Sequence, residues 1–100
     1  MKSTAEIKLA KEGFLISGDL CFSNVMSIYD QSLVHFNHFA KLEFDLSQVK
    51  SSDSSGLALL LEWLKYAKQN SKPIRFNHMP VKMLSLAKAA GLDKILQQTN

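Results

Sequence analysis

The sequence predicts a single α/β domain, 1–100, built as a layer-packed mixed sheet of four to five strands with about four helices. Three observations carry that expectation. The chain opens with two short apolar runs around a turn, as a hairpin does. Beyond it, segments of strand period alternate with segments of helix period, which implies crossover connections and at least partly parallel pairing. The length of 100 residues, with 46% apolar and 21% charged content, suits one core. A domain of this size buries roughly two thirds of its unfolded surface, too little for a core plus a large substrate-enclosing cavity.

The elements follow in order. Ala5 to Leu9 alternates, with Ile7 and Leu9 on one face, and Lys11-Glu12-Gly13 turns the chain into the run Phe14-Leu15-Ile16. After Gly18-Asp19-Leu20, Ser23 or Asn24 is placed to cap a helix whose Val25, Ile28, Tyr29, Leu33, Phe36 and Phe39 recur at helical spacing. Leu42 to Leu46 alternates as a strand, with Leu42, Phe44 and Leu46 turned one way, and a polar stretch from Ser47 to Asp53 reads as a loop. Ser54 to Gln69 reads as a helix and Ile74-Arg75-Phe76 as a short strand. Pro80 suits the first turn of a further helix carrying Met83, Leu84, Ala87 and Ala90 on one face, with Gly91 as its C′ residue. Leu92 to Leu96 forms a last short turn or helix.

Composition narrows the function. Cys21 is the single cysteine, so an internal disulfide is excluded; it reads as a small buried hydrophobe of a reducing compartment. Cys21, His35, His38 and His78 do not have the spacing of a zinc site, and no cofactor is implied. The start, Met1-Lys2-Ser3-Thr4-Ala5-Glu6, lacks the apolar stretch of a signal peptide, which points to the cytoplasm. Residues 1–50 carry five Lys/Arg against six Asp/Glu, and residues 51–100 carry seven against three, so the basic character belongs to the second half. Its lysines are scattered singly without interleaved aromatics, which argues against nucleic acid and for an acidic protein partner. No Gly-x-Ser-x-Gly elbow supports a hydrolase built on Ser54 with a histidine, and no phosphate-binding Gly-rich loop supports a nucleotide. Any ATP chemistry belongs to a partner.

The most informative stretch runs from Phe44 through Asp53-Ser54-Ser55-Gly56 to Leu60. It leads from a buried strand through polar residues to a helix N-terminus, where unpaired backbone N–H groups and partial positive charge favour Asp, Ser or a phosphate. A plain N-cap worth about 1 kcal/mol is one reading of these residues. Asp45-Leu46-Ser47-Gln48-Val49 followed by Asp53-Ser54-Ser55-Gly56-Leu57 resembles the signature of STAS domains, the family of anti-sigma-factor antagonists and of the cytoplasmic domains of sulfate transporters. Gly18-Asp19-Leu20 resembles the family's Gly-x-Leu after its second strand. Asn77 to Leu92 resembles its last strand, loop and helix ending in Gly-Leu. The resemblance spans nearly the whole chain and implies a STAS-like fold.

In that family the first Ser of Asp-Ser-Ser-Gly is the residue phosphorylated by a kinase-type anti-sigma factor, which makes Ser54 the implied phosphoacceptor. Phosphate there adds about two negative charges, which a helix end accommodates and a docked partner does not. The helix from Ser54 carries one stripe of Leu57, Leu60, Leu61, Leu64 and Ala67, expected to face the core. Leu59, Trp63 and Tyr66 lie on another side. They either fold back under the hairpin or the last helix, or form an interface, and the second reading is preferred because Trp and Tyr are enriched at binding hot spots. Asp53, Ser54, Ser55, Gly56, Leu59, Trp63, Tyr66, Met79 and Lys82 are thus the expected partner-binding residues, since strand-to-helix loops of parallel strands share one sheet edge.

Among branches of the family, the run from Asp53 to Trp63 and the Asn77-x-Met79-Pro80 segment look most like the MlaB type. That is the STAS subunit docked on the ATPase of the bacterial phospholipid ABC transporter that maintains outer-membrane lipid asymmetry, peripheral to the inner membrane through its complex. The Asp-Ser-Ser-Gly form departs toward the antagonists, whose partner is an anti-sigma factor kinase; transporter subunits often carry Thr at the Ser54 position. A weak homodimer is left open by the sequence.

Overall fold

The hairpin forms where the alternation places it. In the computed structural model, which describes residues 5–11 and 13–97, β1 (Ala5–Ala10) runs antiparallel to β2 (Gly13–Leu20), with Ile7 opposite Ile16 and Leu9 opposite Phe14. Glu12, which was assigned to the connecting turn, lies outside the described residues, as do residues 1–4 and 98–100. β2 leads through a turn into α1 (Val25–Leu33), and a 3-10 turn (Phe36–His38) then delivers the chain to β3 (Leu42–Ser52). The long α2 (Ser54–Gln69) precedes β4 (Ile74–Asn77), α3 (Val81–Ala89) and α4 (Asp93–Gln97).

The sheet has four strands in the order β1-β2-β3-β4, with β2, β3 and β4 mutually parallel. Both crossovers step in the same direction across the sheet, and right-handed connections of that kind place their helices on the same face. That face is the core. Phe14, Ile16, Leu42, Phe44, Leu46 and Ile74 project into it and meet Ile28, Leu60, Trp63, Met83 and Leu96 from the helices. Phe44 is stacked between Phe14 at 5.1 Å and Trp63 at 4.1 Å, which fixes β2, β3 and α2 against one another. The opposite face carries Glu6, Lys8, Ser17, Glu43, Asp45, Arg75 and Asn77. Its cross-strand pairs are polar, with Glu43 opposite Arg75 and Asp45 opposite Asn77.

Three local expectations are corrected. The polar stretch after Leu46 is strand, not loop: β3 runs on to Ser52. Between Leu15 and Ser17 of β2, and again between Gly18 and Asp19, the pairing slips because β3 supplies an extra residue. Each bulge shifts the in–out parity, so Val49 rather than Gln48 continues the buried series of Leu42, Phe44 and Leu46, and the alternation that marks a strand is lost from the sequence. The first helix is also shorter than its spacing implies. It ends at Leu33, and Phe36 is buried from the 3-10 turn, which Lys72 holds by donating from Nζ to the carbonyls of Phe36 and Phe39, 2.7 Å each. Asn24 occupies the N-cap position of α1 without capping by its side chain. It accepts from the Cys21 amide at 3.0 Å and donates to the Asp19 carbonyl at 2.8 Å, closing the turn behind it instead.

The bounds of α2 and the end of α3 fall where expected, whereas Pro80 caps α3 from outside instead of opening its first turn and Cys21 is not fully buried. α2 begins at Ser54 and ends at Gln69, and Pro80 precedes the first residue of α3. Gly91, with φ of 75°, sits in the left-handed region just beyond Ala90, the terminating geometry that glycine adopts without strain. Cys21 is half-buried at the start of the β2–α1 turn rather than in the core, its Sγ 3.1 Å from Ser23 Oγ.

Candidate partner-docking site

The parallel strands β2, β3 and β4 all end at one edge of the sheet, and the loops that leave them bring together segments far apart in sequence. The edge is knitted by hydrogen bonds. The Asp53 amide donates to the Leu20 carbonyl at 3.2 Å, Ser51 Oγ donates to Asp19 Oδ1 at 2.8 Å, and Ser52 Oγ donates to the Asp53 carbonyl at 2.9 Å. Asp53 is the N-cap of α2, with extended backbone and a carboxylate accepting from the Ser55 amide at 2.8 Å. It satisfies one of the orphan amides of the helix start and places its negative charge at the positive end of the helix dipole. Ser54, the first residue of the helix, is exposed beside it.

Gly56 allows this corner to close. A Cβ there would fall on Ser52 Oγ and come within 3.2 Å of Met83 Cε. Its absence lets α2 approach both the end of β3 and α3. Alongside, Val49 to Ser52 and Pro80 to Met83 line a shallow depression of about 140 Å³, on whose α3 side Lys82 and Val81 are exposed. Asp53, Ser54 and Lys82 are thus all exposed, and Ser55 and Met79 are half-buried.

Of the remaining expected contacts, Gly56, Leu59 and Trp63 are corrected. Gly56 is buried between Ser52 and Met83 and packs the domain rather than facing outward. Leu59 and Trp63 are 3% and 0% exposed, so the aromatic stripe is core and not an exposed interface. Trp63 stacks on Phe44 and donates from Nε1 to Ser32 Oγ at 2.9 Å, while Ser32 donates to the Tyr29 carbonyl at 2.6 Å. Tyr66 is half-buried with its ring 4.7 Å from Phe36. Burial pushes the Tyr29 hydroxyl above its ordinary pKa, with a smaller contribution from the Glu62 carboxylate. The reason for the correction is positional. α2 touches the sheet below and both α1 and α3 beside it, so a helix of this small domain is covered on three sides.

His78 follows the end of β4 and makes its contact away from Ser54. Its Nδ1 lies 3.5 Å from Asp45 Oδ1 on the open face of the sheet, so it forms no catalytic pair with Ser54. The Ser47 amide, 2.9 Å from Asp45 Oδ1, and the Ser47 hydroxyl hold that carboxyl below the usual carboxylate range; His78 adds a smaller pull and burial opposes it.

One exposed residue at the same edge went unnoticed in the sequence. Phe22, two residues beyond Leu20, is 84% exposed, and Met26 one turn later is 63% exposed. Their signal is an aromatic set among the polar residues of the turn Cys21 to Asn24, just after a strand end. Val81, the first residue of α3, is 79% exposed as well. Within the described residues, no helix is long and apolar enough to cross a membrane.

Comparison with known proteins places this architecture. No curated protein matches the chain significantly. Among solved structures, the fold is similar to that titled "Structure of the Anti-Sigma Factor Antagonist SpoIIAA in its Unphosphorylated Form". The TM-score is 0.68 at 15% identity, covering 91% of this chain and 84% of that one. The family described as "Mlab, STAS domain" matches residues 5–98. With that match running from β1 through α4, and with a SpoIIAA-like four-stranded mixed sheet beneath its helices, the chain belongs to the STAS domain family, in its Mlab group.

Proposed function

We propose that this chain is a non-catalytic cytoplasmic subunit that docks on the ATPase subunit of a phospholipid ABC transporter and stabilises or regulates it. Such a transporter maintains outer-membrane lipid asymmetry, and the chain reaches the inner membrane only through that complex. The observation that carries this reading is the Mlab match over residues 5–98, since STAS domains are protein-interaction modules. The docking surface is the edge formed by Asp53, Ser54, Ser55, Met79 and Lys82. Small side chains at the start of α2 let a partner approach the helix backbone closely, and Lys82 supplies a cation for an acidic residue opposite.

A second reading is an anti-sigma-factor antagonist switched by phosphorylation of Ser54. It is favoured by the antagonist form of Asp53-Ser54-Ser55-Gly56 and by the exposure of Ser54 at a helix start, where a phosphate finds amides and dipole without disturbing the core. Both readings make the same edge the docking surface and differ in the partner. Affinity purification of the tagged full chain from its host, in native and Ser54→Asp forms, separates them. Enrichment of an ABC ATPase with the native chain and its loss by at least tenfold with Ser54→Asp supports the transporter subunit. Enrichment of an anti-sigma kinase supports the antagonist, and recovery of neither overturns both. Thermal unfolding of the variant should match the native chain, because Ser54 is exposed.

A further inference from the structure

At the side of the sheet, away from the edge just described, β1 is the terminal strand. Its pairing to β2 is unbroken from Ala5 opposite Gly18 to Ala10 opposite Gly13. Among the described residues no strand pairs with its other edge, and such edges template the addition of another strand. Natural sheets commonly blunt them with a proline, a bulge or an isolated lysine. β1 has no proline and no bulge, and its lysine is matched by an acid: Glu6 and Lys8 stand side by side on the open face, 67% and 68% exposed, with their charged atoms 3.9 Å apart.

We propose that β1 is a self-complementary edge on which a second copy of this chain pairs, antiparallel and centred on Ile7. In that register Glu6 of each copy opposes Lys8 of the other, so the two-fold axis produces two equivalent ion pairs. Directly opposed opposite charges stabilise antiparallel pairs, and like charges destabilise them. On the helix side, Ala5 opposes Leu9. Leu9 is 54% exposed although it shares a face with the half-buried Ile7, and a small partner residue there gives it a place to pack. No other register centred on a residue of β1 brings Glu6 opposite Lys8. Pairing makes one eight-stranded sheet from two copies of this four-stranded one. It leaves both Asp53–Ser54 edges uncovered, so the dimer offers two docking sites to a two-fold partner. A single strand pair buries less than a standard protein interface, so the dimer is weak and dependent on concentration.

Charge exchange tests the register. Sedimentation of the full chain from micromolar to millimolar concentration should show reversible dimerisation. Glu6→Lys and Lys8→Glu should each raise the dissociation constant about tenfold or more, because each turns both ion pairs into repulsions. Mixing the two single variants should restore association as a heterodimer, and the double exchange E6K/K8E should restore the homodimer. Amide exchange should show added protection confined to β1 at high concentration. Circular dichroism should be unchanged in all variants, since both side chains are exposed. A chain that stays monomeric throughout overturns the proposal. So does association that ignores the single exchanges, or that neither the mixture nor the double exchange restores.

Discussion

In α2 the first turn leaves Ser54 and Ala58 in solvent around the buried Gly56, whereas the next two turns bury Leu59, Leu60, Trp63 and Leu64 and keep only a strip with Glu62 and Lys65 outside. The two regions belong to one helix of 16 residues with continuous backbone bonding. They differ in what lies beside them. The middle turns are wedged against the sheet below, with the aromatic ring of Trp63 filling the space to α1. The first turn projects beside the ends of β2 and β3, where neighbouring loops are short. Hydropathy alone would place recognition at the aromatic turns, but the accessible part is the small and polar one. For a helix touched on three sides, side-chain size marks the available surface better than apolar character does.

Removing the aromatic wedge is the strongest way to break this contrast. Trp63→Ala should cost about 3–5 kcal/mol, the range for deleting a large buried aromatic, enough to leave a small domain largely unfolded. It removes the stack on Phe44 and leaves Ser32 Oγ without its indole donor. Urea denaturation checks the loss. Trp63→Phe keeps a ring for the stack and should recover most of it. If Trp63→Ala instead kept full stability and lost only partner binding, the assignment of this stripe to the core would be wrong.

A smaller effect is expected where the two regions meet. Gly56→Ala must displace Ser52 Oγ, which then gives up the Asp53 carbonyl, and it presses on Met83. Such overpacking costs about 1–3 kcal/mol, offset by the up to ~1 kcal/mol that alanine contributes to a helix interior. The net loss should show as a lower melting temperature, and adding Ser52→Ala should return part of it by clearing the space. Failure of that rescue would mean that Ser52 does not limit the approach of α2 to the end of β3.

Much of this was readable from the residues because it rests on local chemistry. The bounds of α2 follow from Asp53 at its cap and the polar run after Gln69; the end of α3 follows from Gly91; the hairpin follows from alternation on both sides of a turn. What was not readable depends on partners distant in sequence. The extension of β3 from Ser47 to Ser52 is hidden because bulges shift its parity and its side chains are polar, so only the pairing with β2 reveals it. Trp63 was read as interface because Trp and Tyr are enriched at binding hot spots, while its indole finds Ser32, 31 positions earlier. Lys72 looked like one more surface cation, yet it ties down the carbonyls of Phe36 and Phe39. At the candidate docking edge, Asp53, Ser54 and Lys82 were legible as a motif and its neighbour. Phe22 was not, because an isolated aromatic in a turn has no periodicity to announce it.

The mildest change addresses the first turn itself. Asp53→Ala removes the acceptor 2.8 Å from the Ser55 amide and the negative charge at the head of α2, and an N-cap of this kind contributes about 1 kcal/mol. In a domain of this size that corresponds to a fall in melting temperature of about 4–8 °C. Asp53→Asn keeps an acceptor oxygen and drops only the charge, so it should lose a fraction of that amount, and the fraction should shrink as salt is added. The contrast within α2 predicts a further asymmetry. Loss of the cap frays the end proposed to meet a partner while the turns around Trp63 stay packed, so amide exchange in Asp53→Ala should rise at Ser55 to Leu57 and stay unchanged at Trp63 and Leu64. A uniform rise along the helix would mean that α2 opens as one unit, and the distinction between a soft docking end and a locked middle would fail.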